Sequence, residues 1–77
     1  MAVILSQHTM RKNIPRAYIE AVLANPTYAT PDPVDPTLTR SFGPILAFGN
    51  RTLRVVHRPE GADIFVVTAH WDRGARR

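Results

Sequence analysis

The sequence predicts an α+β domain in which two short N-terminal helices pack on a three- to four-stranded antiparallel β-meander. Three observations carry this prediction. Pro15 begins a stretch with helical apolar spacing that ends at Asn25-Pro26. Between Leu38 and Trp71, runs rich in Val, Ile, Thr and Phe are typical of strands. Turn signals at Gly49-Asn50 and at residues 59–62 divide these runs into hairpins.

The N-terminal half contains the signals for both helices. Residues 2–5 are apolar and form either a short strand or a lead into a helix. Ser6 suits the N-cap of a short helix that runs to about Lys12. A second helix is expected from Pro15 to about Ala24, since Pro is favoured in a first helical turn. Its apolar stripe consists of Tyr18, Ile19, Val22 and Leu23.

A proline-rich loop separates the helices from the strands. It contains Pro26, Pro31, Pro33 and Pro36 and should be stiff and extended, with a short edge strand at residues 27–29. The next strand, from Thr39 to Phe48, contains Gly43-Pro44, which predicts a bend and an edge or distorted position. The last strand, Ile64 to Trp71, is apolar on both faces and should be central or covered by the helices.

The two turns fix a predicted register for the middle strand, Arg51 to Arg58. A two-residue turn at Gly49-Asn50 pairs Phe48 with Arg51. A four-residue loop at residues 59–62 pairs Arg51 with His70. The strand then turns its apolar and basic side chains to opposite faces: Leu53 and Val55 toward the helices, Arg54 and Arg58 away from them. A slip of one residue would reverse this assignment.

Size and composition limit the function. The 77 residues form a single domain, residues 1–77, and contain no cysteine, which excludes disulfides and thiolate metal sites. The three histidines are far apart and lack ligand spacing, so no metal and no cofactor is expected. No signal peptide or apolar span of about 20 residues is visible, which predicts a cytoplasmic protein without membrane contact.

The charge favours an acidic partner. Ten Lys and Arg residues, nine of them Arg, oppose six Asp and Glu residues, for a net charge of +4. Arg binds phosphate in bidentate geometry and stacks on bases, so RNA, DNA or an acidic protein are the partners to consider. The alternative is a soluble surface with a modest excess of charge.

Two groups of residues are candidates for chemistry. Arg51 and His70, opposed at strand ends, could act on a phosphodiester, with His70 as acid or base and Arg51 stabilising negative charge. The alternative is a partly buried histidine beside a solvated arginine. A helical corner could grip phosphates or could equally be a basic solvated face; it consists of His8, Arg11, Lys12 and Arg16.

Five segments, in order, carry a family resemblance: Ile4-Leu-Ser6-x-His8, Asn13-Ile-Pro15, residues 21–26, Leu53-Arg-Val-Val-His57 and residues 64–69. Over these segments, which span nearly the whole chain, the sequence resembles the bacterial domain-of-unknown-function family 4258. That family is similar to the BrnT and RelE/ParE toxins. The resemblance implies a compact RelE-like fold.

The resemblance also implies a function. In RelE-type toxins, basic residues on the sheet bind mRNA on the ribosome and promote cleavage by the RNA's own 2′-hydroxyl. Carried over to this sequence, the strand arginine is Arg54, the upstream strand base is Arg40, and the late acid/base position is His70 or Arg73. Fold similarity alone does not establish nuclease chemistry, because function depends on the site.

Two functional hypotheses follow. The first is a toxin-like RNA-binding domain acting as a metal-independent endoribonuclease of a toxin–antitoxin system. Its catalytic candidates are Arg54, His70 and Arg51, and its RNA-binding candidates are Arg11, Lys12, Arg16, Arg40, Arg58 and Arg73. The alternative is a non-catalytic interaction module that forms a homodimer or a complex with an antitoxin-like partner through an exposed sheet edge and the Pro/Asp loop.

Overall fold

The computed structural model describes residues 2–72, which form a five-stranded mixed sheet and two α-helices. In chain order the elements are β1 (Val3–Leu5), α1 (Gln7–Met10), α2 (Arg16–Ala24), β2 (Tyr28–Pro31), β3 (Thr39–Ile45), β4 (Arg51–Glu60) and β5 (Asp63–Asp72). The strand order across the sheet is β1-β5-β4-β3-β2. The α+β class is confirmed. The predicted strand number and purely antiparallel pairing are wrong, because β1 joins the sheet parallel to β5.

β1 resolves the alternative left open for residues 2–5. It is an edge strand, paired with Ile64–Val66 only. Backbone hydrogen bonds fix its two ends: Ile64 N donates to Ala2 O at 2.9 Å, and Ser6 N donates to Val66 O at 3.0 Å. The chain thus enters the sheet beside its last strand and leaves immediately into α1.

Both helices lie close to their predicted positions. Ser6 is the N-cap of α1, and its Oγ accepts a hydrogen bond from Thr9 N at 3.1 Å. α2 follows Pro15 and ends before Asn25. Ile19 and Val22 on its apolar stripe are fully buried. The helical spacing of the sequence therefore identified the buried face correctly.

α2 packs across one face of the sheet, which is called here the helix face. The buried core between them consists of Ile19, Val22, Ile45, Leu53, Val55, Val66 and Ala69. Gly43 lies directly against Val22 of α2, and a Cβ there would be 3.4 Å from Val22 Cγ2. Leu53 and Val55 point to the helix face as predicted, which leaves the alternate residues of β4 on the opposite face, the outer face.

β3 differs from its prediction. Gly43-Pro44 lies within a continuous strand, and β3 is interior, between β4 and β2. Pro44 is tolerated because the pairing with β2 ends at Tyr28–Phe42, so its missing N–H interrupts no bond to β2. The short edge strand predicted at residues 27–29 is present, shifted by one residue at its start, as β2.

The β3–β4 turn is longer than the sequence suggested. Leu46–Phe48 forms a 3₁₀ turn, followed by Gly49 and Asn50 with φ of +65° and +59°. Ile45 therefore pairs with Arg51, and the predicted Phe48–Arg51 pair is wrong. Phe48 instead turns back and stacks on Trp71, with ring centroids 4.4 Å apart. This aromatic contact stabilises the wider turn.

The β4–β5 turn is shorter than predicted. Glu60 pairs with Asp63 across the two-residue turn Gly61-Ala62, where Gly61 has a φ of +62°. Further along, the register shifts between Val56 and His57, and Val67 has no partner on β4. This is a β-bulge, and it places one extra residue in β5.

The bulge changes the partner of His70. His70 pairs with Arg54, so the predicted Arg51–His70 pair is wrong. Val66 and Ala69, three residues apart, both face the helices and are fully buried. Without the bulge, strict alternation would turn Ala69 outward and His70 inward. The bulge therefore moves His70 to the outer face, where Arg54 lies.

Replacement of core Leu53 by Ala should lower the free energy of unfolding by about 2–5 kcal/mol, since Leu53 is fully buried against α2. Urea denaturation followed by circular dichroism measures the change. Leu46→Ala is the matched control, because Leu46 is 83% exposed, and its effect should stay within about 0.5 kcal/mol. Equal losses in the two variants would contradict the core assignment.

Candidate functional site

The outer face carries a row of side chains across four strands. Paired residues lie on the same face, and the pairs Tyr28–Phe42, Phe42–Arg54 and Arg54–His70 follow one another from β2 to β5. The rings of Tyr28 and Phe42 are stacked with centroids 4.4 Å apart. Adjacent strands are about 4.8 Å apart, so Arg54 and His70 are direct neighbours.

Lys12 completes this row beyond β5. Its Nζ donates to His70 Nδ1 at 2.8 Å. A lysine ammonium has donors only, so Nδ1 must carry a lone pair. The proton of the neutral imidazole is therefore on Nε2, which donates to Thr68 Oγ1 at 3.3 Å. His70 is held in one tautomer by contacts on both ring nitrogens.

The pKa of His70 lies below its ordinary value of 6.5. Burial is the largest cause, because it disfavours the charged imidazolium. Four positive or titratable neighbours lower it further: Lys12, Arg54, His8 and Arg40. We call these four residues together with His70 the basic face. At neutral pH, His70 is a neutral base within a cluster of cations.

Arg54 and Arg40 differ in how their charges are compensated. Arg54 forms no salt bridge within residues 2–72, and its Nε is buried there without a hydrogen-bond partner. Arg40 Nε donates to Asp32 Oδ2 at 3.1 Å. A buried, unpaired guanidinium nitrogen is unusual and requires an explanation. Nothing within residues 2–72 provides one, and an anion at this face would contact the terminal guanidinium nitrogens, which are not buried in this way.

Asp32 organises the proline-rich loop around Arg40. Its Oδ1 accepts hydrogen bonds from Val34 N at 2.9 Å and Asp35 N at 3.0 Å. Hydrogen bonds from the backbone of Asp35 and Val34, and from Arg40, keep the pKa of Asp32 below its ordinary value. This carboxylate therefore stays ionised and holds Arg40 at the edge of the basic face.

Several predicted RNA-binding residues lie elsewhere. Arg58 is on the outer face but forms an ion pair with Glu60, and its Cζ lies 4.7 Å from the Phe65 ring centroid. Arg16 pairs with Glu20 and donates to Val3 O. Arg11 is the C-cap of α1 and is exposed. Arg73 lies outside the described residues.

Arg51 does not oppose His70 across strands. It lies at the start of β4 on the helix face, where its Cζ is 5.5 Å from the Phe48 ring and 5.7 Å from the Trp71 ring. Arg51 and His70 both line an open pocket of about 480 Å³ at the C-terminal end of β5. The pocket is lined by Lys12, Ile14, Arg51, Ala69, His70 and Trp71.

A second histidine pair lies on the helix face. His57 Nε2 and Ser41 Oγ are 2.7 Å apart, and burial lowers the pKa of His57. Ser41 is only 3% exposed. A substrate could not reach this hydroxyl, so the pair satisfies two polar groups in the sheet and contributes to structure.

Within residues 2–72 there is no group of three His, Asp or Glu side chains that could hold a metal ion. None of the helices in that range is long and apolar enough to cross a membrane. The chain matches no family model, no curated protein and no solved structure. The function must therefore be inferred from the geometry of the site.

Replacement of Lys12 by Met should raise the pKa of His70 toward 6.5 without restoring it fully, because burial remains. The NMR titration of the His70 ring protons measures this change. Arg58→Met is the control: it removes the same charge from the outer face, yet Arg58 is not among the groups that lower this pKa. An unchanged His70 titration in Lys12→Met would contradict the contact.

The histidines also make folding depend on pH. The folded-state pKa values of His57 and His70 lie below the unfolded value, so the unfolded chain binds more protons below about pH 6.5. The free energy of unfolding should therefore reach its maximum above that pH and decrease as the pH is lowered further. Urea midpoints between about pH 7.5 and 5.5 measure the loss. His70→Gln should make it shallower, and an unaltered slope would contradict the role of His70.

Proposed function

We propose that the chain is a toxin-like RNA-binding domain whose basic face cleaves RNA without a metal. The observation that carries the proposal is neutral His70 held between Arg54 and Lys12 on the outer face of the sheet, where all three side chains are half-buried. A neutral imidazole can accept a proton near neutral pH, and adjacent cations can hold a phosphodiester.

Binding would rest on uncompensated charge. Lys12 and Arg54 form no salt bridge within residues 2–72, and Arg40 is the one arginine of the basic face that does. RNA phosphates would replace the missing anions and give Arg54 an acceptor for its unpaired donors. Arg54 and Lys12 flank neutral His70 along the strand-to-strand direction, so a phosphodiester at His70 would lie between two cations.

The cleavage step uses the RNA's own 2′-hydroxyl. Lys12 Nζ leaves His70 Nδ1 and moves to the phosphate, and the 2′-hydroxyl takes its place. His70 then accepts the 2′ proton as the 2′-oxygen attacks phosphorus. Arg54, directly across from His70, stabilises the charge that develops on the phosphoryl oxygens.

The products follow from this bond change. The bond from phosphorus to the 5′-oxygen breaks, and the 5′-oxygen takes a proton from water or from the Lys12 ammonium. One product ends in a 2′,3′-cyclic phosphate and the other begins with a 5′-hydroxyl. No metal and no redox cofactor enters this step.

Labelled single-stranded RNA tests the proposal. His70→Gln should retain binding and lose about 100-fold or more in cleavage rate, since general bases contribute about 10²–10⁴-fold. Arg54→Gln should weaken both. Arg16→Gln is the control because it removes one positive charge that is paired with Glu20 and lies outside the basic face. Binding should weaken steeply with salt, because several phosphates are contacted.

Two results would contradict the proposal. RNA binding that is absent at low salt would exclude the domain's binding role. Cleavage that survives in His70→Gln at the wild-type rate would exclude the assigned base. A matched substrate with a deoxyribose at the cleaved position separates 2′-hydroxyl attack from direct hydrolysis by water, since only the latter cuts it.

A non-catalytic interaction module is the second candidate, and the sheet edges favour it. Within residues 2–72, β2 has no strand on its outer side, and β5 is covered by β1 only at Ile64–Val66. Such edges can pair with an antitoxin-like partner or a second copy. If this function is correct, light scattering should show a dimer or a complex. The association should depend little on salt and should be unaffected by Arg54→Gln.

A further inference from the structure

We propose that the pocket at the C-terminal end of β5 binds a single nucleotide, with its phosphate between Lys12 and Arg51 and its base against Trp71. This deepens the proposed function, and it rests on that function for RNA as the source of the nucleotide. A free nucleoside monophosphate is the other source of the same chemistry.

The position of the pocket follows from the short β1. Because β1 pairs only with Ile64–Val66, the outer side of β5 beyond Val66 is left to α1 and the segment after it. Lys12 and Ile14 come from that segment, and Ala69, His70 and Trp71 come from β5. The volume of about 480 Å³ lies in the usual range of about 300–1,000 Å³ for small-molecule sites.

The charge of the pocket favours an anion. No carboxylate lines it, and neither Lys12 nor Arg51 forms a salt bridge in the described part of the chain. Both cations are nevertheless held in place by uncharged groups. Lys12 donates to neutral His70, and Arg51 lies over the rings of Phe48 and Trp71. Both side chains already lie at the pocket, so Lys12 has only to exchange His70 for the phosphate.

The apolar wall of the pocket favours a planar group beside the anion. Trp71 is fixed by stacking on Phe48 at 4.4 Å and by an edge contact with Tyr18 at 6.2 Å. Ile14 is half-buried and completes the wall. Inorganic phosphate would contact only the two cations, and a nucleoside would contact only the apolar wall. A nucleotide uses both, and aromatic side chains commonly bind bases in this way.

The pocket and the basic face share Lys12 and His70. A nucleotide in the pocket would therefore lie next to the phosphodiester held by Arg54. Its base must leave the stack of a duplex to reach Trp71, which makes single-stranded RNA the substrate. The pocket would position one nucleotide so that His70 meets the neighbouring 2′-hydroxyl.

Trp71 provides the measurement, because it is the one tryptophan in the sequence. Titration with each of the four nucleoside monophosphates should change its fluorescence saturably. The matching nucleosides and inorganic phosphate should bind at least about tenfold more weakly, since each lacks half of the contacts. Equal binding of inorganic phosphate, or no response to any nucleotide, would overturn the proposal.

Variants identify the residues. Arg51→Gln should weaken nucleotide binding about tenfold, the amount expected for one charge-assisted contact. Because this change also removes a neighbour of Trp71, Lys12→Met provides a second variant that leaves the ring contacts intact. Arg58→Gln, with its ion pair to Glu60 away from the pocket, should bind as wild type. Wild-type binding in both pocket variants would overturn the assignment.

RNA titrations separate the two sources and the two proposals. Single-stranded RNA that quenches Trp71 more strongly than the same sequence in a duplex supports RNA as the source. Nucleotide binding without RNA binding overturns the proposed function and leaves a free-nucleotide site. RNA binding that needs Arg54 but leaves Trp71 fluorescence unchanged overturns the pocket and leaves the proposed function.

Discussion

The bulge at Val67 determines which face of the sheet each later residue of β5 occupies. Before the bulge Val66 packs on the helices, and after it Ala69 and Trp71 share that face while His70 lies with Arg54 on the other. The insertion of one residue therefore satisfies two demands at once. It keeps an apolar helix face along the whole strand, and it brings a histidine to the basic side.

The start of α1 holds this bulge in place. Ser6 Oγ donates to Val67 O at 2.7 Å, and Thr9 Oγ1 donates to Val66 O at 3.3 Å. Ser6 also caps the helix, and its Oγ lies 2.8 Å from Thr9 Oγ1, so one small polar cluster fixes the helix start, the irregular strand and the segment that carries Lys12. Val67 has no partner on β4, and Ser6 Oγ supplies its carbonyl with a hydrogen bond.

The sequence was informative where local rules apply and silent where pairing is long-range. Capping and apolar spacing predicted both helices, and the alternation of Leu53 and Val55 predicted the faces of β4. The register failed, because the run Val66-Val67-Thr68 suits either face and carries no sign of a bulge. Lys12 was predicted to bind RNA, but its contact with His70 depends on that bulge and on β1, and so could not be foreseen.

The short β1 also has a consequence for the dynamics of the domain. The hairpins of β3, β4 and β5 join neighbouring segments, whereas Lys12 and His70 are separated by 58 residues and meet only when β1 and α1 dock. A three-residue strand adds little to that docking. Local opening of β1, α1 and the segment after it would leave the meander folded but would remove Lys12 and Ile14 from the pocket. The population of binding-competent molecules then follows this opening equilibrium and not the global stability.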